Sequence, residues 1–397
     1  MVKENVEKTF KLPIIKIYSE FPITFFGGGE RLIVKIYNHL KGNNFEVKII
    51  ENNAKLAESR VTKREVTDVI KQDLISVPFK TYGFPKFFYQ QLPKIEDLLD
   101  TQKNISLIFA RRLPPKFVMN KLLKSESKFI FCLHGIALEN FRFTNLKIMV
   151  HQIVIRHQLR ILSKYVQRNI FVQCLTPHIR EYLLNNGASD KNIFLIENEY
   201  LAETVEIIPN NNSFDVIFIG RMQNNTKGIR FLKDVIKRVK KREPSINFTV
   251  IGIGPDLKIL DDVREKANIL GRVDDEDKKQ YLLHSNLGII TSNLEPYSLV
   301  AMEFLSAGLP VVTTPVSGPM NILKKNKLFG KISSFNAESF SNDIIYYYDK
   351  WKRDKLSYFL ERKEIANLAK SIFNEGNMLD SYLIMVRQVI SRDSSQL

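Results

Sequence analysis

Cysteine is almost missing from this sequence: Cys132 and Cys174 are the only two in 397 residues. Both stand in apolar, strand-like runs, "FIFCLH" and "FVQCLT", and read as buried free thiols. Two such residues exclude a disulfide framework and offer no metal-site spacing. Long apolar runs are lacking as well, none approaching the roughly 18 residues of a membrane span. The opening "MVKENVEKTFKLP" is too charged for a secretory signal, so the expectation is a cytoplasmic protein. Neither GxGxxG nor GxxxxGK[ST] occurs, which removes the usual support for a nicotinamide-binding or P-loop NTPase reading. The histidines show no HExxH or related spacing, and His151 and His157 read as solvated or packed side chains.

What is present is enough chain for two domains, each with its own core. Acidic residues are outnumbered, 43 against 59 Lys and Arg, for a net charge of +16. The excess is local: residues 101–180 hold fourteen Lys or Arg against two acids. Within them "HQIVIRHQLRILSKYVQR" places Arg156, Arg160, Lys164 and Arg168 at successive i,i+4 positions, which predicts a basic stripe on one helix face. Such a stripe is either a solvated face or a surface for anionic partners, with an anionic membrane inner face as the expected peripheral contact. No aromatic interleaving or binding motif accompanies it, which argues against nucleic acid.

Short β-rich runs alternate with helical stretches throughout. The strand candidates are 13–19, 45–51, 73–79, 105–111, 129–135, 169–176 and 192–197, then 214–221, 247–254, 268–272, 287–293, 309–315 and a weaker 328–334. Near-continuous Val, Ile and Phe runs separated by helices predict parallel strands buried on both faces, hence an α/β chain with two doubly wound, Rossmann-like domains. The turn-prone "PNNNS" (209–213) is the expected hinge. In such sheets ligands bind outside the carboxyl ends of the strands. Those ends carry Gly27–Gly29, His134, Arg221, Gly252 with Gly254, and Glu295.

The segment "EPYSLVAMEFLSAGLPVV" (295–312) is apolar apart from two carboxylates, Glu295 and Glu303. Pro296 and Ser298 suit a turn and helix start, Leu299–Ala307 reads as helix, and Gly308 with Pro310 stops it before a strand. No broad polar face exists for Glu303 to join, and an unpaired buried carboxylate costs several kcal/mol, roughly. Either it reaches solvent through a narrow stripe or it faces a cleft where a ligand supplies donors. In "GRMQNNTKG" Arg221 and Lys227 leave a strand end beside a helix N-terminus, a setting that favours an anion such as a diphosphate. "GGGE" (27–30) opens a helix and lets backbone approach a ligand.

In order, "FIGRMQNNTKGIRFLKDVI", "FTVIGIGP", "NILGRVDDEDKKQYLLHSN" and "EPYSLVAMEFLSAGLPVVTTPVSGP" resemble the second domain of the retaining GT-B glycosyltransferases, in particular the large family four. The resemblance covers 214 to about 335; the first half matches in outline only, through the glycine loop, the His after a strand and "LTPHIREYLLNNGASDKNIFLIEN". It implies an acceptor-binding domain over 1–205, a nucleotide-sugar domain over 206–372, a cleft between them, and a C-terminal helix (373–397) crossing back. It also implies a metal-independent transfer, with no cofactor, from a nucleotide-diphosphate sugar such as a UDP- or GDP-sugar to a glycan or lipid-linked acceptor. Glu295 and Glu303 match the E-x7-E pair that holds the donor sugar and the ribose hydroxyls, so their burial would be compensated only by donor or water. Arg221 and Lys227 match the diphosphate pair. The amides of Tyr297, Ser298 and Leu299 would face the phosphates, Gly252 would border the donor, Val273 would lie near the base, Gly28 and Gly29 would border the phosphates from the first domain, and His134 would sit by the reaction centre.

The sequence departs from that pattern in places. Pro296-Tyr297-Ser298 replace the glycine and aromatic common after the first Glu, and "PVSGPMN" lacks an acid that often follows its glycine. "VDDEDKK" mimics a DxD metal motif of another fold, but acids at a helix start explain it. A nucleotide-sugar hydrolase, epimerase or phosphorylase, or a non-catalytic sugar-nucleotide or nucleic-acid binder, remain as alternatives on the same fold.

Overall fold

Apolar runs, buried at every position in several inner strands and partly exposed at the edges, fix the two sheets. The computed structural model describes residues 12–23, 28–53, 68–84, 86, 89–99, 103–139, 146–199, 207–208, 212–373 and 376–392. The first unit is built on β1 (Ile15–Ser19), β2 (Val47–Asn52), β3 (Leu74–Val77), β4 (Lys80–Thr81), β5 (Gln91–Leu92), β6 (Ile105–Phe109), β7 (Lys128–Cys132), β8 (Ile170–Cys174) and β9 (Ile193–Leu195). Seven of these form a sheet in the order β3-β2-β1-β6-β7-β8-β9, every pair parallel. β6, β7 and β8 are buried along their whole length because helices cover both faces. The antiparallel pair β4–β5 is an excursion between β3 and β6.

The C-terminal helix Gly376–Ser391 completes the core of this first unit. Its Met378, Tyr382, Met385, Val386 and Val389 pack with Ile15, Ile17, Ile130 and Cys132. Lys128, buried within β7, donates from Nζ to the Val389 carbonyl at 2.5 Å, a cation at the end of a helix where the dipole favours it. Both cysteines are buried and free, and burial raises both thiol pKa values, that of Cys174 to about 12.

The second unit holds β10 (Phe214–Ile219), β11 (Ile246–Ile251), β12 (Asn268–Gly271), β13 (Leu287–Ile290), β14 (Val311–Thr313) and β15 (Gly330–Ile332). Its sheet runs β12-β11-β10-β13-β14-β15, again all parallel. The helix Ile229–Arg242 buries Ile229, Leu232, Val235, Ile236 and Val239, an i, i+3, i+4 face, against β10 and β11. Fully buried Arg362 donates to the carbonyls of Leu283, Ala307 and Gly308, so its charge is spread over three acceptors.

The contacts divide the chain into 1–136, 154–197 and 378–397 on one side and 137–153 with 198–377 on the other. Segment 137–153, inside the 1–205 block in sequence, groups with the second unit, and its Glu139 bonds there. Its Oε2 accepts from the Ser317 amide at 2.8 Å and its Oε1 from the Ser317 hydroxyl at 2.9 Å. The hinge residues 209–211 and Gly27 lie outside the described residues.

Candidate active site

In both sheets the strand order reverses beside the first strand of the unit, between β1 and β6 and between β10 and β13. That switch point is where an open α/β sheet leaves a crevice at its carboxyl edge. In the second unit it is filled by two loops pressed together. Gly228, at φ 65°, follows the short turn Asn224–Lys227, and a Cβ there would lie 2.1 Å from the Thr291 carbonyl oxygen. Only glycine permits that approach. Thr291 Oγ1 donates to the Lys227 carbonyl at 2.8 Å and the Asn293 amide to the Thr226 carbonyl at 2.7 Å.

This stitching sets Lys227 against Glu295: the two side chains form an ion pair, and Ser292 Oγ donates to the same Glu295 Oε2 at 3.0 Å. Both are largely buried, with 20% and 13% of the side chains exposed. Eight residues on, Glu303 accepts from Lys278 Nζ at 3.1 Å, and these side chains are 20% and 14% exposed. Its helix, Leu299–Ser306, buries Ala301, Met302, Phe304 and Leu305, so the ion pair occupies the one direction left for a polar side chain. The expectation that donor or water alone compensates these carboxylates is therefore corrected. Lys227, Ser292 and Lys278 supply protein donors, because the turn after β10 brings Lys227, the loop after β13 brings Ser292 and the helix after β12 brings Lys278 to them.

The other donor-site candidates share this edge. Arg221 follows β10 and is exposed. Gly252 follows β11 at φ 142°, and a Cβ there would sit 1.8 Å from the Gly220 carbonyl oxygen. Val273 is half-buried in the turn between β12 and the helix Asp275–His284. Tyr297 and Ser298 are buried; the Ser298 hydroxyl caps the helix by accepting from the Ala301 amide at 3.3 Å, and Leu299 is its first residue. The turn that carries Glu295 is braced by Gly318 and Ser317. The Gly318 amide donates to the Glu295 carbonyl at 2.9 Å and the Ser317 hydroxyl reaches the same oxygen at 3.4 Å. In the acidic run, Asp274 caps its helix by accepting from the Asp277 amide at 2.8 Å and Asp275 lies 3.6 Å from Lys278.

Gly28, Gly29 and His134 lie on the first unit, at the carboxyl edge of its sheet. Gly28 and Gly29 open the helix Gly28–Gly42 after β1. His134 follows β7; its Nε2 lies 2.8 Å from the Tyr382 hydroxyl and its ring 5.0 Å from that of Phe109. Enclosure by these groups holds its pKa down to about 4, with Gln173 opposing weakly, so the imidazole is neutral near pH 7. Sequence reasoning missed Lys278, Glu139 and Arg111. Lys278 was hidden among acids that drew attention to metal. Arg111 ends β6 with its guanidinium 4.1 Å over the Phe21 ring and 3.4 Å from buried Glu30, at the switch point of the first sheet.

The basic stripe is corrected. The helix Leu146–Ser163 carries Arg156 and Arg160, but Lys164 lies in the turn beyond it and Arg168 is left-handed at φ 50° just before β8. The helix ends too early for four cations to share one face. No helix among the described residues is long and apolar enough to cross a membrane.

Residues 203–362 match the family model described as Glycosyl transferases group 1. Among curated proteins, the chain is 29% identical over 173 residues to the phosphatidylinositol N-acetylglucosaminyltransferase gpi3 subunit of Schizosaccharomyces pombe, covering 41% of this chain and 38% of that protein. An uncharacterized glycosyltransferase of Methanocaldococcus jannaschii is 31% identical over 115 residues, 28% of this chain and 29% of the relative. The chain thus spans only about a third of the length of such relatives. Among solved structures, sucrose-phosphate synthase from Thermosynechococcus elongatus superposes with a TM-score of 0.71 at 14% identity, over 96% of this chain and 100% of that one. The Anabaena protein HepE in complex with UDP-glucose gives 0.61, also at 14% identity, over 96% and 99%. The fold is that of the GT-B glycosyltransferases.

Proposed function

We propose that the chain, whose residues 203–362 match the family model described as Glycosyl transferases group 1, moves a sugar from a nucleotide-diphosphate sugar to a glycan or lipid-linked acceptor, with retention at the anomeric carbon and without a metal ion. The observation that carries the reading is the pair of carboxylates eight residues apart, each ion-paired to a lysine at the switch point of the sheet.

Breaking the bond from the anomeric carbon to the diphosphate builds negative charge on the leaving phosphate. Arg221 and Lys227 are the cations that neutralise it, supported by the amides at the start of the helix Leu299–Ser306. Lys227 exchanges Glu295 for the diphosphate when donor binds. Glu295 is thereby freed to accept from hydroxyls of the donor sugar, while the Ser292 hydroxyl keeps it oriented. Glu303, held by Lys278, accepts from the ribose hydroxyls. On the first unit, His134, neutral and bonded to Tyr382, offers the acceptor a hydrogen bond without a charge. Attack comes from the face that the leaving group departs, and the leaving phosphate takes the acceptor proton, so no side-chain nucleophile is required.

The test is a thermal-shift screen of UDP, GDP, ADP and their sugars on wild type and Glu303→Ala, in the absence of divalent metal. A nucleotide-selective rise lost in the variant supports the reading, because a ligand stabilises only the state that binds it. No rise with any nucleotide removes it.

A further inference from the structure

The first unit holds a cavity of about 420 Å³, away in sequence from every donor-site residue assigned above, with Tyr89, Leu113, Pro114, Phe117, His157 and Ile161 on its wall. Its size falls in the ~300–1,000 Å³ range of small-molecule sites. None of the residues lining it is acidic. Lys116 lines it, and Arg160 is exposed on the helix that supplies His157, Gln158, Ile161 and Leu162 to the lining. Two large aromatics of this unit are exposed, one of them in the cavity wall. Phe117 is 47% exposed and Phe84 is 88% exposed. Phe84 follows Gly83, which lies flat on the Tyr89 ring, since a Cβ there would be 2.2 Å from Cδ2. An apolar hollow with an exposed phenylalanine in its wall and a lining that holds a lysine and no acid matches an amphiphile with an anionic head.

We propose that this cavity takes the hydrocarbon chain of an anionic membrane lipid that serves as the acceptor. Phe84 and Phe117 enter the edge of the bilayer, and Lys116 and Arg160 face the headgroup phosphates. The proposal rests on the glycosyl-transfer reading only in naming that lipid the acceptor; the cavity and its lining stand independently of it.

The experiment uses the full chain with vesicles of phosphatidylcholine alone or mixed with phosphatidylglycerol, and with the fluorescent fatty acid cis-parinaric acid as a probe of the cavity. Wild type is expected to sediment with the anionic vesicles and to enhance parinarate fluorescence. Arg160→Glu changes the charge by two units and weakens vesicle binding roughly thirtyfold. Phe117→Ser, at an exposed position that leaves the core intact, weakens binding to a similar extent, and Ile161→Trp, which fills the cavity, abolishes parinarate uptake. Loss with Arg160→Glu alone, with Phe117→Ser and Ile161→Trp behaving as wild type, would mean a purely electrostatic surface and would overturn the proposal. So would a wild-type chain that takes up no parinarate. Nucleotide thermal shifts on the same variants report the second unit: if they persist while lipid binding is absent, the cavity assignment fails alone. If they are missing while lipid binds, the donor reading fails alone.

Discussion

Lys278 Nζ lies 3.1 Å from Glu303 Oε1, with about four-fifths of each side chain covered. Removing one partner of such a pair leaves the other charge half-desolvated, which costs more than the pair contributes. Lys278→Met is expected to destabilise the second unit by about 1–2 kcal/mol. That corresponds to a melting temperature lower by about 2–4 °C per kcal/mol in a unit of this size. It should also weaken nucleotide binding, because Glu303 is no longer held. The double variant Lys278→Met/Glu303→Gln should regain stability without regaining nucleotide binding. A thermal melt with and without nucleotide separates the two effects, and strictly additive losses would show that the contact is not coupled.

Lys227 carries a different burden, since it pairs with Glu295 in the absence of donor and is proposed to meet the diphosphate in its presence. Lys227→Ala should lower kcat by about 10²–10³, the usual cost of one preorganised donor to a developing anion. Lys227→Arg should recover only part of this, because the planar guanidinium meets phosphate and Glu295 with another geometry. Steady-state transfer or donor-hydrolysis rates check both. An effect on KM with none on kcat would assign Lys227 to ground-state binding.

The strand runs were legible because burial on both faces leaves little but Val, Ile, Leu and Phe, and the thirteen strands of the two large sheets fall on the thirteen runs read from the sequence. β4 and β5, two residues each, carry no period to read. The E-x7-E pair and the Arg221/Lys227 loop were legible as spacing. Their lysine partners were not: the contact between Lys278 and Glu303 joins residues on two helices, and nothing local marks it. The basic stripe misled because i,i+4 spacing says nothing of where a helix stops. A left-handed Arg168, with the Asn169 side chain donating to the carbonyls of Leu122, Ser125 and Ser127, ends the periodic stretch.

The enclosed imidazole of His134 predicts a pH dependence. Its pKa is about 4 in the folded chain and about 6.5 when unfolded. Between those values the unfolded state binds more protons, so stability rises with pH across the window. This contribution is therefore whole above about pH 6.5 and is lost as the pH falls towards 4. His134→Gln should flatten that part of the profile, and Tyr382→Phe should change the slope little while lowering stability by about 1 kcal/mol through the lost hydrogen bond. Urea melts from pH 4 to 8 read the slope. An unchanged slope in His134→Gln would place the titrating group elsewhere.

Glu139 offers the last test, of how the Glu295 turn is held. Its carboxylate accepts from both the amide and the hydroxyl of Ser317, the first residue of the helix Ser317–Leu323, and so serves that helix as a cap supplied from far along the chain. Ser317 and Gly318 in turn bond the Glu295 carbonyl. Glu139→Ala should cost about 0.5–2 kcal/mol, as for a lost cap. Because the helix start also braces the turn, the same variant should raise KM for the donor more than it lowers kcat. Glu139→Gln keeps one acceptor oxygen and should recover most of the stability, since the amide of Ser317 still finds a partner. If Glu139→Ala lost stability with donor kinetics unchanged, the capping contact would be structural alone and the Glu295 turn would hold its geometry without it.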